Sequence, residues 1–125
     1  MNIPALETLV DRHLAAYCET DATRRSEAIR ATWHPEGRLV DPPFESRGHQ
    51  GISGQAEALL AQFPGHRFER TTAIDAHHQM LRYGWRLVSP AGAPVVEGID
   101  IADLDVDGHL WRVVGFFGAQ PPALG

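Results

Sequence analysis

The sequence predicts an α+β domain, helices in its first half and antiparallel strands in its second. Three observations carry that reading. Apolar residues recur at helical steps as far as Phe63, strand-like segments follow from His66 onward, and those segments are separated by turn signals instead of helical crossovers. Helices first and strands afterwards pack as α+β, not as repeated βαβ units. At 125 residues the chain is expected to be one domain, large enough to bury a core.

Ile3, Leu6, Leu9, Val10, His13, Leu14 and Tyr17 form one stripe of a long first helix, with Asn2 as its cap. A second helix is expected after Asp21, as N-cap, to about Trp33. It ends there because His34 precedes Pro35, a position that disfavours helix. Arg38 to Asp41 reads as a short strand and "PPFESRGHQG" as an irregular connection. Ile52, Ala56, Leu59, Leu60 and Phe63 mark a third helix, stopped by Pro64-Gly65. The segments "HRFERTTAI", "QMLRYGWRLVS", "VVEGIDIADLDV" and "LWRVVGFF" are strands, parted by turns at "DAHH", "SPAGAP" and "DVDGH". Within the third of these, Val96, Gly98, Asp100, Ala102 and Leu104 share one face. Val95, Glu97, Ile99, Ile101 and Asp103 share the other, and are apolar enough to predict a homodimer through the sheet face.

Composition narrows the function. The formal charge is −5 and the eleven basic residues are scattered, which argues against nucleic acid as partner. No apolar run approaches membrane-spanning length. The opening "MNIPALETLV" carries acid where a signal peptide carries bases, and the single cysteine, Cys18, fits a reducing compartment. A cytoplasmic location is therefore expected, with Cys18 read as packing. His, Asp and Glu show no metal-motif spacing, so neither metal nor cofactor is expected.

The motifs "RHLAAY", "HPEGRLVDP", "EGIDIADLD" followed by "DGHL", and the terminal "VVGFFG" lie in an order that resembles the nuclear transport factor 2-like superfamily. This superfamily includes ketosteroid isomerases, SnoaL-like polyketide cyclases, limonene epoxide hydrolase and members used only for binding. The resemblance implies a cystatin-like cone in which three helices pack on a curved, mostly antiparallel sheet enclosing a pocket. In the ketosteroid isomerases the catalytic base is an aspartate ending the first strand before a proline, a position matched by Asp41 in "VDPP". Their oxyanion aspartate stands in a "PID" context, matched by Asp100 in "GID" with Gly98 replacing the proline. Their first-helix tyrosine is replaced by His13, while Tyr17 lies one turn further on the same face.

If both acids face one dry cavity, desolvation and mutual repulsion separate their protonation states. Asp41, nearer solvent, is then the general base; Asp100, held neutral, donates to the oxyanion with His13 or Tyr17. The plain alternatives stay open: Asp41 as a turn cap, Asp100 satisfied by a neighbouring Tyr, His or Trp, and His13 as a core histidine. Walls for a small apolar ligand are expected from Trp33, Phe44, Phe63, Tyr83 and Trp85, with Phe116 or Phe117 beside them. His49 and Glu45 lie in the loop over the mouth. The expected activity is cofactor-free proton transfer on an apolar carbonyl compound. Its rivals are a non-catalytic binding domain and a hydrolase of the limonene type, which needs an arginine between the acids. His77 and His78 are adjacent in a turn and are not expected to share a ligand.

Overall fold

The amphipathic stripe of the first helix dictates where the core lies. A computed structural model describes residues 2–124. Helix α1 (Ile3–Ala16) begins at Asn2, whose Oδ1 accepts from the Ala5 N–H at 3.1 Å, and buries Leu6, Val10, His13 and Leu14. These pack with Leu39, Leu81, Tyr83, Ala102, Leu110 and Val113 of the sheet in one continuous cluster. Fully burying each large aliphatic side chain there contributes about 1.5–3 kcal/mol. Helix α2 (Ala22–Thr32) follows; Asp21 precedes it but pairs with Arg24 and makes no side-chain cap bond.

The remaining elements are β1 (Trp33–Asp41), β2 (Phe44–Arg47), α3 (Gly48–Gln62), β3 (Arg67–Arg70), β4 (Asp75–His77), β5 (Met80–Val88), β6 (Pro94–Leu104) and β7 (Leu110–Phe117). They form one open sheet in the order β2-β1-β7-β6-β5-β3, with β4 also on β5. All pairs are antiparallel except β1 with β7. The result is the expected arrangement of three helices on a curved, mostly antiparallel sheet. Among the described residues no helix is long and apolar enough to cross a membrane.

Three boundaries differ from the sequence expectation, each for a local reason. Strand β1 starts at Trp33 instead of Arg38, because the irregularity around Pro35 is absorbed as a register shift against β7 between Trp33 and Arg38. The stretch "PPFESRGHQG" is not irregular. After the cis Pro42-Pro43 peptide it turns into β2, with Asp41 paired to Phe44, and Gly48 at φ 76° swings the chain into α3. The polar first turn of α3 hides it from a hydrophobic count. "DAHH" includes strand β4 and turns at His78, which takes φ 53°.

Alternation along the long strands sorts their two faces. Asp100, Ala102 and Leu104 point inward and are buried, whereas Val95 and Ile99 face outward at 47% and 46% exposure. On β7, Gly115 and Val113 are buried while Phe116 is 55% exposed.

Candidate functional site

Asp41 is set by the prolines that follow it. They end β1 at the rim of the sheet, so the last strand residue turns its carboxyl under the helices. There Asp41 Oδ2 accepts the Tyr17 hydroxyl at 3.1 Å, and the Tyr17 oxygen accepts the Gln55 amide Nε2–H at 2.9 Å. Desolvation by burial raises the Asp41 pKa above the ordinary carboxylate range, and the Tyr17 hydrogen bond partly opposes it. Burial, and then the charge of Asp41, raise the Tyr17 pKa, so its hydroxyl keeps its proton.

Asp100 occupies the middle of β6, directly opposite Tyr83 on β5 and Gly115 on β7. Both its oxygens are engaged: Tyr83 Oη donates to Oδ2 and Trp85 Nε1 donates to Oδ1, each at 2.8 Å. Two glycines make this possible. A Cβ on Gly98 would lie 2.6 Å from Trp85 Cζ2, so the glycine of "GID" opens the space through which the indole reaches Asp100. A Cβ on Gly115 would strike Asp41 Oδ1 and lie 3.0 Å from Asp100 Oδ1; the two carboxyls therefore face each other across its bare side. Burial and then the Asp41 charge push the Asp100 pKa up to about 7, against the pull of its two donors.

His13 is buried beside this pair. Trp33 Nε1–H, which can only donate, points at His13 Nδ1 at 3.3 Å. The neutral ring therefore carries its hydrogen on Nε2, and burial lowers its pKa to about 4. The Tyr17 hydroxyl hydrogen is committed to Asp41, whereas the His13 Nε2–H is free to donate.

These groups border a cavity of about 150 Å³. Leu14, Leu39, Leu59, Phe68 and Phe117 supply apolar wall, and Pro42, Pro43, Phe44, Gln62 and Phe63 line it as well. Of the residues expected at the site, Asp41, Asp100, His13, Tyr17, Phe44, Phe63, Trp85 and Phe117 meet at this cavity. Three expected wall residues, Trp33, Tyr83 and Phe116, do not line it, nor does His49. Trp33 stands behind His13, and His49 Nε2 bonds the Trp33 carbonyl at 2.9 Å. Tyr83 backs Asp100, and Phe116 lies on the outer face because strand alternation gives the cavity face to Phe117, itself half-exposed. Glu45 is tied to Arg38 instead of reaching over the mouth.

Asp100 spends both oxygens on the wall residues Tyr83 and Trp85. Gln55 was overlooked in the sequence, although a polar residue on the Ile52, Ala56, Leu59 stripe of α3 is a readable signal. Among the described residues no arginine lines the cavity. Arg82 and Arg86 pair instead with Asp75 and Glu69. Nor do three or more His, Cys, Asp or Glu gather, among the described residues, where they could hold a metal. The Cys18 thiol bonds the Leu14 carbonyl at 3.3 Å, and burial raises its pKa, which disfavours a nucleophilic thiolate.

No protein-family model and no curated protein matches the chain. Solved structures do. A SnoaL-like family protein from Agrobacterium tumefaciens, provisionally named an isomerase, is 38% identical, with 90% of this chain and 96% of that one covered at a TM-score of 0.84. An NTF2-like protein of unknown function from Exiguobacterium is 15% identical over 90% of this chain and 99% of its own, at a TM-score of 0.70. A protein from Catenulispora acidiphila with a ketosteroid isomerase-like fold, solved with trimethylamine, is 14% identical over 86% and 83%, at 0.69. At those last two identities the likeness is one of fold.

Proposed function

The chain belongs to the SnoaL-like family, and on that premise we propose that it is a cofactor-free proton-transfer enzyme, of isomerase or cyclase type, for small apolar carbonyl compounds. One observation carries the reading. Asp41 presents an oxygen without a hydrogen-bond donor among the described residues, Oδ1, beside a largely apolar cavity that the neutral His13 ring also borders, with its Nε2–H unpaired among those residues.

In this mechanism the Asp41 carboxylate takes a proton from the carbon next to the substrate carbonyl. The electron pair of that C–H bond moves into the carbonyl, and the resulting enolate oxygen is held by the His13 N–H. Asp41 then returns the proton, to a different carbon in an isomerisation. Desolvation makes Asp41 a stronger base than a carboxylate in water. An ionised Asp41 favours the protonated form of Asp100, which keeps a second negative charge out of the site. The volume suits a single ring: a cavity of about this size admits benzene. Cyclohex-3-enone is a suitable probe. Asp41→Asn should slow solvent-deuterium exchange into it and its conversion to cyclohex-2-enone by about 10²–10⁴-fold; exchange at the wild-type rate in that variant refutes the assignment.

A second reading, a non-catalytic ligand-binding domain, is favoured by one observation: Asp100 is fully satisfied by Tyr83 and Trp85. Saturable binding of small cyclic ketones by a wild-type protein that exchanges no deuterium supports it. The outward Val95, Ile99 and Phe116, the last two directly opposite across β6 and β7, support a homodimer through this face. Phe116→Glu should convert the protein to a monomer by light scattering.

A further inference from the structure

Gln55 is buried to 7% exposure, and its amide meets the Tyr17 hydroxyl that touches the base. A tyrosine hydroxyl has one hydrogen to give. An ionised carboxylate only accepts, so the Tyr17 hydrogen lies toward Asp41 Oδ2 only while the other neighbour of its oxygen is a donor. The Gln55 Nε2–H is that donor. The opposite amide orientation would offer an acceptor and compete for the hydrogen. The orientation present has a cost: Gln55 Oε1 is buried without a partner, a penalty of the kind that is seldom retained without compensation. We propose that Gln55 is a positioning residue: its amide N–H directs the Tyr17 hydroxyl onto Asp41 Oδ2, which leaves Oδ1 as the oxygen that accepts the substrate proton.

The groups facing Asp41 are few. His13 comes from α1 and Tyr17 from its C-cap, Gln55 from α3, and Asp100 from β6 across Gly115. Among the described residues no arginine lines the cavity, and His13, its pKa lowered to about 4 by burial, is neutral, so no cation competes with the Gln55–Tyr17–Asp41 chain. Gln55 reaches the base only through Tyr17, so its effect must vanish when the hydroxyl is removed. A residue that merely fills space lacks that dependence.

The catalytic consequence rests on the proton-transfer reading, but the hydrogen-bond direction does not, so the test follows Asp41 itself by carboxyl ¹³C NMR titration of the unliganded protein. Gln55→Glu supplies an acceptor that draws the Tyr17 hydrogen away, and Asp41 should titrate about one pH unit higher. In a Tyr17→Phe background only like-charge repulsion from the new acid remains, and the Gln55→Glu shift should be clearly smaller. Gln55→Met, neither donor nor acceptor, keeps the volume and should raise the Asp41 titration by a few tenths of a unit. Equal Gln55→Glu shifts with and without the Tyr17 hydroxyl overturn the proposal, as does an unchanged Asp41 titration in Gln55→Met. If Asp41 titrates as expected while Asp41→Asn still exchanges deuterium at the wild-type rate, the proton-transfer reading fails and the positioning role of Gln55 stands.

Discussion

The mouth and the floor of the cavity each hold one aspartate, and the two are handled oppositely. At the mouth, Asp41 ends a strand, receives one hydroxyl and keeps an oxygen free. On the floor, Asp100 sits mid-strand between two neighbours, with both oxygens engaged by Tyr83 and Trp85. A carboxyl buried in the middle of a sheet must be satisfied or it destabilises the fold. One at a strand end keeps residual solvation and can leave a lone pair unused. The contrast teaches that in a pair of buried acids the less fully bonded one is the candidate base.

The sharpest way to break the contrast is to neutralise each acid in turn. Asp41→Asn should lower the isomerisation rate by about 10²–10⁴-fold, the range for a general base. Asp100→Asn, which can still accept from Trp85 and donate to Tyr83, should lower it about tenfold or less. Equal losses would erase the distinction between mouth and floor.

Next in size is the glycine between them. Gly115→Ala places a methyl against both carboxyls and should destabilise the protein by about 1–3 kcal/mol in urea unfolding. Gly54→Ala, on α3 with nothing near its would-be Cβ, should be neutral or stabilising by up to about 1 kcal/mol. Tyr83→Phe, which strips a donor from the buried floor acid, should cost about 1–3 kcal/mol. Tyr17→Phe at the wetter mouth should cost less, while moving the acid limb of the pH–rate profile upward, because the lost hydrogen bond had lowered the Asp41 pKa.

In the wild-type protein the smallest expected effect is the pH dependence of stability, because two contributions oppose each other there. Asp100 is raised from 3.8 to about 7, so its contribution is present below the lower value and lost as pH rises through the upper one. His13 is lowered from 6.5 to about 4, so its contribution is present above 6.5 and lost as pH falls through 4. Between about pH 4 and 6.5 the two slopes oppose each other. Asp100→Asn should therefore leave a protein that loses stability on acidification through this window. His13→Gln should leave one that loses stability as pH rises through it. Urea midpoints across the range check both.

Much of the floor and the mouth was legible in the sequence. Proline after Asp41 placed that acid at a strand end, and alternation in "EGIDIADL" put Asp100 on the buried face with Ala102 and Leu104. The first-helix stripe located His13 and Tyr17 correctly, because helical periodicity is local. What was not legible depends on contacts between distant segments. Only the fold shows that Trp85 reaches Asp100 over Gly98, that Phe116 and not Phe117 points outward, or that Gln55 meets Tyr17. The first turn of α3 escaped notice because glycine, histidine and glutamine leave no apolar trace.

The order in which the two acids give up their protons decides which of them is the base. A carboxyl ¹³C NMR titration that resolves Asp41 and Asp100 in the unliganded wild-type protein measures this directly. The expected result is that Asp41 ionises at the lower pH and Asp100 holds its proton to near pH 7. An Asp100 that ionises in the ordinary carboxylate range, with Asp41 still protonated above it, would contradict the assignment of the mouth acid as the base.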